Sequence, residues 1–139
     1  MSDAAGRVRH EGLRQKIISA EQAAEFIQNG MTVGISGFTG AGYPKAVPGA
    51  VAAKAEAAHA KGEAFKIRMI TGASTADECD GVLARANAIE FRSPFQYDPT
   101  LRNQINAGDD AYKDVHLSHI EQKAPAGVFG DKEVAALAV

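Results

Sequence analysis

Apolar and polar residues are distributed along the chain in blocks that predict strands and helices in alternation. Short, mostly apolar runs of strand length lie at residues 31–36, 65–70, 88–92 and 134–139. Segments with helical periodicity or high alanine content lie between and beside these runs, at residues 20–28, 50–61, 76–85, 99–106 and 120–129. Residues 114–119 predict a strand end followed by a loop, and Pro125 interrupts the last helical segment.

Two of the helix starts carry a capping-box pattern, in which a hydroxyl and a side chain three residues later satisfy each other's backbone amides. Ser19 begins one such pattern, and Thr75 with Glu78 begins another. In this interpretation Thr75 and Glu78 are structural. The acids Asp77 and Asp80 are then explained by the favourable field at a helix N-terminus.

The spacing of strands and helices is that of βαβ units. It predicts an α/β fold with a parallel or mostly parallel sheet, flanking helices and right-handed crossovers, in a Rossmann-like arrangement. We expect residues 1–15 to be a polar N-terminal arm and residues 16–139 to be a partial domain, with the apolar strand at 134–139 at an edge of the sheet. Ligands of such folds bind beyond the carboxyl ends of strands, so the loops after Ser36 and Ile70 are the candidate sites.

The composition is that of an ordinary globular chain, and it excludes several classes of protein. Of 139 residues, 45% are hydrophobic and 23% are charged, which excludes a disordered chain. The formal net charge is −2, whereas nucleic-acid-binding domains are usually basic. No apolar run has the length of a membrane span. Residues 1–16 lack the apolar core of a secretory signal, so we expect a cytoplasmic protein.

Few residues have metal-binding or nucleophilic character. The single cysteine, Cys79, excludes an internal disulfide and a cysteine-built zinc site, and its pattern favours a buried thiol over a nucleophile. His116 and His119 could meet on one face of a helix, but catalytic zinc needs a third protein ligand. We therefore expect no metal.

A glycine-rich segment, Gly-Phe-Thr-Gly-Ala-Gly-Tyr-Pro-Lys at residues 37–45, lies between the first strand and the next helix. Glycine there permits close approach of the backbone to a ligand, and exposed amides beside a helix start favour anionic groups. The segment is not a P-loop, because Tyr43 follows its last glycine, and Lys45 stands where a dinucleotide-binding turn needs glycine. A simple tight turn between strand and helix remains the alternative.

This segment and several later strings carry a resemblance to a known family. Asn-Gly at 29–30, a short apolar strand and the string continuing to Ala-Val-Pro at 46–48 resemble the acetyl-CoA hydrolase/transferase family of the class I CoA-transferase superfamily. Further strings agree in the same order, at residues 71–75, 80–86, 92–97, 101–108 and 116–119. The resemblance covers residues 13–119 and corresponds to the N-terminal portion of such enzymes.

The resemblance implies an acyl-CoA-handling enzyme, an acetyl-CoA hydrolase or a succinyl-CoA:acetate CoA-transferase. Such enzymes move CoA between carboxylates through a glutamyl-CoA thioester. The family's nucleophilic glutamate lies beyond residue 139, so we expect no catalytic residue here and no activity of this chain alone. CoA is then a substrate, and no covalently bound cofactor is implied. The second substrate is a small carboxylate, acetate or succinate. The implied protein partners are the remaining half of the enzyme or a second chain, and further copies in a homo-oligomer. No nucleic acid or membrane partner is implied.

The resemblance also implies that the glycine-rich segment and the loop after the second strand contact CoA or substrate. The candidate binding residues are Gly37, Phe38, Thr39, Gly40, Gly42, Tyr43, Lys45 and Ser74. Lys45 could pair with a phosphate or a carboxylate, or be a solvated lysine; Tyr43 and Phe38 could wall the acyl pocket or pack under the turn.

Three further polar residues, Arg92, Gln96 and Arg102, could line the crevice, although surface contacts are favoured for them. A different class of function also remains open. It is a stand-alone Rossmann-like module that binds a phosphorylated small ligand at residues 37–42 without catalysis.

Overall fold

The computed structural model describes residues 4–123, 125–127 and 134–137. Within these residues, five parallel strands form one sheet in the order β4-β3-β2-β1-β5. The strands are β1 (Thr32–Ile35), β2 (Ile67–Thr71), β3 (Ile89–Ser93), β4 (Ala111–Tyr112) and β5 (Val134–Leu137). The predicted parallel α/β fold is confirmed, and β5 lies at one edge of the sheet, beside β1.

Helices connect the strands in the predicted alternation. Those before β2 are α1 (Ala4–Arg7), α2 (Glu11–Arg14), α3 (Ala20–Ala24) and α4 (Val47–His59). Those after it are a π-helix (Asp77–Gly81), α5 (Val82–Arg85), α6 (Pro99–Ala107), a 3₁₀ turn (Leu117–His119) and α7 (Ile120–Lys123). In the described part of the chain, no helix is long and apolar enough to cross a bilayer.

Local sequence explains most of these boundaries. Ser19 and Gln22 form the predicted capping box at the start of α3. The side chain of Asp98 accepts hydrogen bonds from two backbone amides at the start of α6, and Gly108 ends that helix with a φ of +86°. Pro48 lies in the first turn of α4, where backbone amides make no hydrogen bond within the helix, so the missing N–H of proline costs nothing there.

The hydrophobic core joins the central strands to the helices that cover them. Its members in the sheet and the helices include Val33, Met69, Ile89, Val51, Ala55, Leu83 and Leu101. Alanines such as Ala55 leave room for α4 to pack closely against α3 and α5, and every one of these side chains is almost completely removed from water. This core fixes the carboxyl ends of β1 and β2 beside each other.

Two sequence predictions in the second half are wrong. The strand expected at residues 114–119 lies earlier, as β4, and the 3₁₀ turn follows it instead. Thr75 and Glu78 do not form a capping box, because the backbone makes a wider turn in which the amide of Gly81 reaches the carbonyl of Ala76 five residues earlier. Parts of the predicted segments at 120–129 and 134–139 lie outside the described residues.

Candidate functional site

The glycine-rich segment at residues 37–45, called here the glycine-rich turn, follows β1 and leads to α4. It lies against the turn that follows the neighbouring strand β2. The amide of Gly72 donates to the carbonyl of Ile35 at 3.0 Å, and the amide of Ala73 donates to the carbonyl of Gly37 at 2.9 Å. The two loops predicted as candidate sites therefore form one surface at the carboxyl ends of the central strands.

Glycine is required at two positions for these turns to meet. A Cβ atom at Gly72 would overlap the carbonyl oxygen of Gly37. A Cβ atom at Gly37 would lie 3.0 Å from the Thr75 methyl group and 3.1 Å from the Ser74 carbonyl oxygen. Close packing of the two turns thus explains both glycines without any ligand.

The tip of the glycine-rich turn is exposed and internally hydrogen-bonded. Phe38 and Ala41 exchange backbone hydrogen bonds of 2.9 and 3.0 Å around Thr39, which has a φ of +50°, and Gly40. The hydroxyl of Ser36 donates to the carbonyl of Gly42 at 2.7 Å and closes the base of the turn. The tip is therefore preformed and open to solvent.

The two aromatic side chains of the turn have opposite environments. Phe38 is 66% exposed, so of the two alternatives for this residue packing under the turn is wrong. Tyr43 is only 3% exposed and belongs to the core, so for this residue packing under the turn is the alternative that the structure supports. Phe38 is left as an apolar surface that a ligand or another polypeptide segment could cover.

Tyr43 and Lys45 are tied to the π-helix by Glu78. The Tyr43 hydroxyl donates a hydrogen bond to one carboxylate oxygen of Glu78, and the ammonium nitrogen of Lys45 lies 3.6 Å from the other. The same nitrogen lies 3.8 Å from the centre of the Tyr43 ring, within the range of a cation–π contact. Lys45 and Glu78 are both about half exposed, so Lys45 faces solvent but already has a counter-charge.

These contacts shift the pKa values of the three groups. Burial, followed by the Glu78 carboxylate, raises the pKa of Tyr43. The hydrogen bond from Tyr43 lowers the pKa of Glu78, and the contact with Tyr43 raises the pKa of Lys45. At neutral pH the carboxylate and the ammonium are therefore both charged. Glu78 therefore belongs to the candidate site, although the sequence predicted it to be a helix-capping residue.

Ser74 lies beside the turn, as predicted, and is completely buried. Among the described residues its hydroxyl has no hydrogen-bond partner. A buried hydroxyl without a partner is costly in a folded protein, which makes this position a candidate for contact with a bound polar group.

Arg92 does not make the surface contacts that were favoured for it. It is fully buried in β3 and forms a two-pronged ion pair with Asp80, with N–O distances of 3.0 and 2.9 Å. Its remaining nitrogen donates to the carbonyl of Ser93 at 2.7 Å. The field at a helix start therefore does not explain Asp80, which instead neutralises a buried guanidinium. Arg102 is exposed, and Gln96 is partly buried.

The remaining candidates do not form a reactive centre. Burial raises the pKa of the Cys79 thiol to about 12, which confirms a buried, unreactive cysteine. The rings of His116 and His119 lie 5.6 Å apart, and no group of three potential metal ligands exists among the described residues.

The surface of the molecule has two concave regions of note, and one of them adjoins the candidate site. A cavity of about 260 Å³ adjoins the turn after β2 and is lined by Ala73, Phe95, Asp114, Val115, His116 and Leu117. A larger open groove of about 590 Å³ lies between α3 and α4, and none of the predicted binding residues lines it. Of the two, the smaller cavity is the one next to the candidate site.

Comparison with known proteins links the chain to enzymes that act on acyl-CoA. All of residues 1–139 match the family model of the acetyl-CoA hydrolase/transferase N-terminal domain. The succinyl-CoA:acetate CoA-transferase of Clostridium kluyveri is 43% identical over 129 residues, covering 93% of this chain and 23% of that protein. The propanoyl-CoA:succinate CoA transferase of Escherichia coli K12 is 42% identical, covering 86% of this chain and 24% of the relative.

More distant relatives agree with these matches. An acetyl-CoA hydrolase of Schizosaccharomyces pombe is 33% identical over 124 residues, covering 88% of this chain and 24% of the relative. Among solved structures, the acyl-CoA transferase YdiF of Escherichia coli O157:H7 matches with a TM-score of 0.62 at 15% identity, over 81% of this chain and 22% of that one. That likeness concerns the fold alone. The chain spans about a quarter of the length of the curated relatives it matches.

Proposed function

Because this chain belongs to the acetyl-CoA hydrolase/transferase family, whose N-terminal domain it matches, we propose that it is the N-terminal part of an enzyme that handles acyl-CoA. The enzyme is an acetyl-CoA hydrolase or a CoA-transferase of the succinyl-CoA:acetate type. Residues 16–139 form part of its N-terminal domain, and residues 1–15 form an arm that precedes it.

The proposed chemistry is covalent catalysis by a glutamate outside residues 1–139. Its carboxylate attacks the thioester carbonyl and expels CoA thiolate, which gives an acyl-glutamyl anhydride. The thiolate then attacks the glutamyl carbonyl and releases the first carboxylate, which leaves a glutamyl-CoA thioester. An acceptor carboxylate takes CoA from this thioester by the same two steps in reverse, or water hydrolyses it to free CoA, and either route restores the glutamate. This route replaces one difficult exchange by easier steps. In this proposal the chain is inactive alone.

The role of the chain is to supply one wall of the site. The observation that carries the proposal is the packing of the glycine-rich turn against the turn after β2, through Gly37 and Gly72, at the carboxyl ends of adjacent parallel strands. Preorganised backbone of this kind can position a ligand at little cost in entropy. The residues proposed to contact CoA or substrate are Gly37, Phe38, Thr39, Gly40, Gly42, Lys45 and Ser74, whereas the buried Tyr43 is proposed to support Lys45 from beneath the turn.

The roles of individual side chains follow from their exposure. Phe38, which is exposed, offers apolar contact to the acyl or pantetheine part of CoA. Lys45 offers charge to a phosphate or carboxylate. The buried hydroxyl of Ser74, which has no hydrogen-bond partner among the described residues, offers a hydrogen bond to a group that reaches its position. CoA is a substrate in this proposal, with acetate or succinate as the carboxylate, in the cytoplasm. The rest of the enzyme completes the site, in a homo-oligomer.

The site is tested by titrating the 139-residue chain with CoA and with pantetheine, which lacks the phosphates, while backbone amide resonances are followed. CoA is expected to shift the resonances of Gly40 and Gly42 more than pantetheine does. Lys45→Met is expected to weaken CoA binding, whereas Lys61→Met, an exposed lysine beyond the end of α4, is the matched control and leaves it unchanged.

Three results would contradict parts of the proposal. Turnover of acetyl-CoA and succinate by the purified chain would show that its own residues suffice for catalysis. Shifts confined to residues remote from the glycine-rich turn would remove that turn from the site. Preference for a nucleotide or sugar phosphate over CoA would favour a binding module without catalysis.

A further inference from the structure

Glu78 contacts both polar side chains at the end of the glycine-rich turn, although it belongs to the π-helix that follows β2. One of its oxygens accepts the hydrogen bond from Tyr43, and the other lies 3.6 Å from the Lys45 nitrogen. We propose that Glu78 is a positioning residue that holds Tyr43 and Lys45 in place and competes with anionic ligands for Lys45. The inference rests on the proposed function only where it names CoA as such a ligand.

The geometry supports a closed cluster of three groups. The Lys45 nitrogen lies between the Tyr43 ring, at 3.8 Å, and the Glu78 carboxylate. Tyr43 is buried, so its ring cannot move without disturbing the core, and its hydroxyl directs the carboxylate toward Lys45. The exposed lysine is thereby attached to a rigid support, and the last residues of the turn are fixed to the π-helix.

The charge of the cluster has a consequence for binding. Lys45 and Glu78 carry opposite charges, so the end of the turn presents no net charge to an arriving phosphate. An anion that pairs with Lys45 must share the ammonium group with the carboxylate or displace it. Exposed ion pairs of this kind are weak, so we expect Glu78 to reduce anion affinity by about two- to fivefold.

Glu78→Gln isolates this charge, because the glutamine side chain has the same shape and its carbonyl oxygen can still accept a hydrogen bond from Tyr43. Inorganic pyrophosphate is titrated into the 139-residue chain, with the amide resonances of the glycine-rich turn as the signal. The matched control is Glu56→Gln, which removes one negative charge from the exposed face of α4.

We expect Glu78→Gln to bind pyrophosphate about two- to fivefold more tightly than the wild type, with the gain shrinking as salt is added. Glu56→Gln is expected to match the wild type, and Glu78→Gln combined with Lys45→Met is expected to lose the gain. Equal affinity in Glu78→Gln and the wild type, including no measurable binding by either, overturns the inference. A gain that persists without Lys45 overturns it as well.

The positioning role has a separate readout that needs no ligand. Glu78→Ala removes the hydrogen bond from Tyr43 and is expected to shift the ring resonances of Tyr43, whereas Glu78→Gln shifts them less. Identical Tyr43 resonances in Glu78→Ala and the wild type would refute positioning. CoA could bind no better than pantetheine while Glu78→Gln still gains affinity for pyrophosphate. That result would reject CoA as the ligand and support the role of Glu78.

Discussion

Breaking the buried ion pair between Arg92 and Asp80 should destabilise the chain more than any substitution on its surface. Both side chains are fully buried, and the guanidinium makes two hydrogen bonds to the carboxylate and one to the Ser93 carbonyl. In Arg92→Met the carboxylate of Asp80 would remain in the interior without a counter-charge. Loss of one partner from such a pair costs about 3–5 kcal/mol of the free energy of unfolding.

The pair itself contributes much less than this loss. Removing two charges from water offsets most of their attraction, so a double replacement by apolar residues of similar volume is often neutral. Arg92→Met with Asp80→Leu is therefore expected to recover most of the stability that Arg92→Met loses. The difference between the single and double variants measures the cost of the unpaired charge.

Urea denaturation of the 139-residue chain, followed by circular dichroism, measures these free energies. Asp77→Asn is the matched control, because Asp77 pairs with Arg85 at 2.5 Å in the same helical segment but both side chains are at least half exposed. It is expected to unfold close to the wild-type midpoint. A loss in Arg92→Met as small as that of Asp77→Asn would refute the reasoning from burial.

Three further substitutions test other parts of the structure. Gly72→Ala is expected to lower the free energy of unfolding by about 1–3 kcal/mol, because its Cβ would overlap the Gly37 carbonyl, whereas Gly40→Ala, with open space around its Cβ, is expected to unfold at the wild-type urea midpoint. Ser19→Ala removes the cap of α3 and is expected to cost about 1 kcal/mol by the same measurement; a change within error would contradict the capping role. Burial raises the pKa of Asp110, so the folded chain holds this proton more tightly than the unfolded chain and ionisation lowers stability as the pH rises above about 4. In Asp110→Asn the urea midpoint should therefore fall less as the pH rises above about 4, and a pH dependence equal to that of the wild type would contradict this sign.

The central part of the fold could be predicted from the sequence because its signals are local. The apolar run before the glycine-rich turn predicts β1, and the sequence from Pro99 to Gly108 contains both the start and the end of α6. The meeting of the turns after β1 and β2 also follows, since parallel neighbours end at the same edge of a sheet. These features depend on residues that are close in sequence or on topology alone.

The contacts that were missed depend on tertiary structure. Thr75 and Glu78 have the spacing of a capping box, but the π-helix directs Glu78 to a tyrosine 35 residues earlier in the chain. From its charge, Arg92 was expected at the surface. It lies instead in a strand, between Phe91 and Ser93, and helices usually cover both faces of a parallel sheet. A charged residue in such a strand needs a buried partner, and the structure shows that this partner is Asp80, which the sequence analysis had assigned to a helix start.

The burial of Cys79 has a practical use in measuring the site. Because it is the only cysteine of the sequence and its thiol is inaccessible and protonated, a maleimide dye added to the native chain has no natural target that reacts quickly. A cysteine introduced by Gly40→Cys would then take up the dye selectively at the exposed tip of the glycine-rich turn. The labelled chain would report ligand arrival and docking of a partner domain by fluorescence, without removal of the native cysteine.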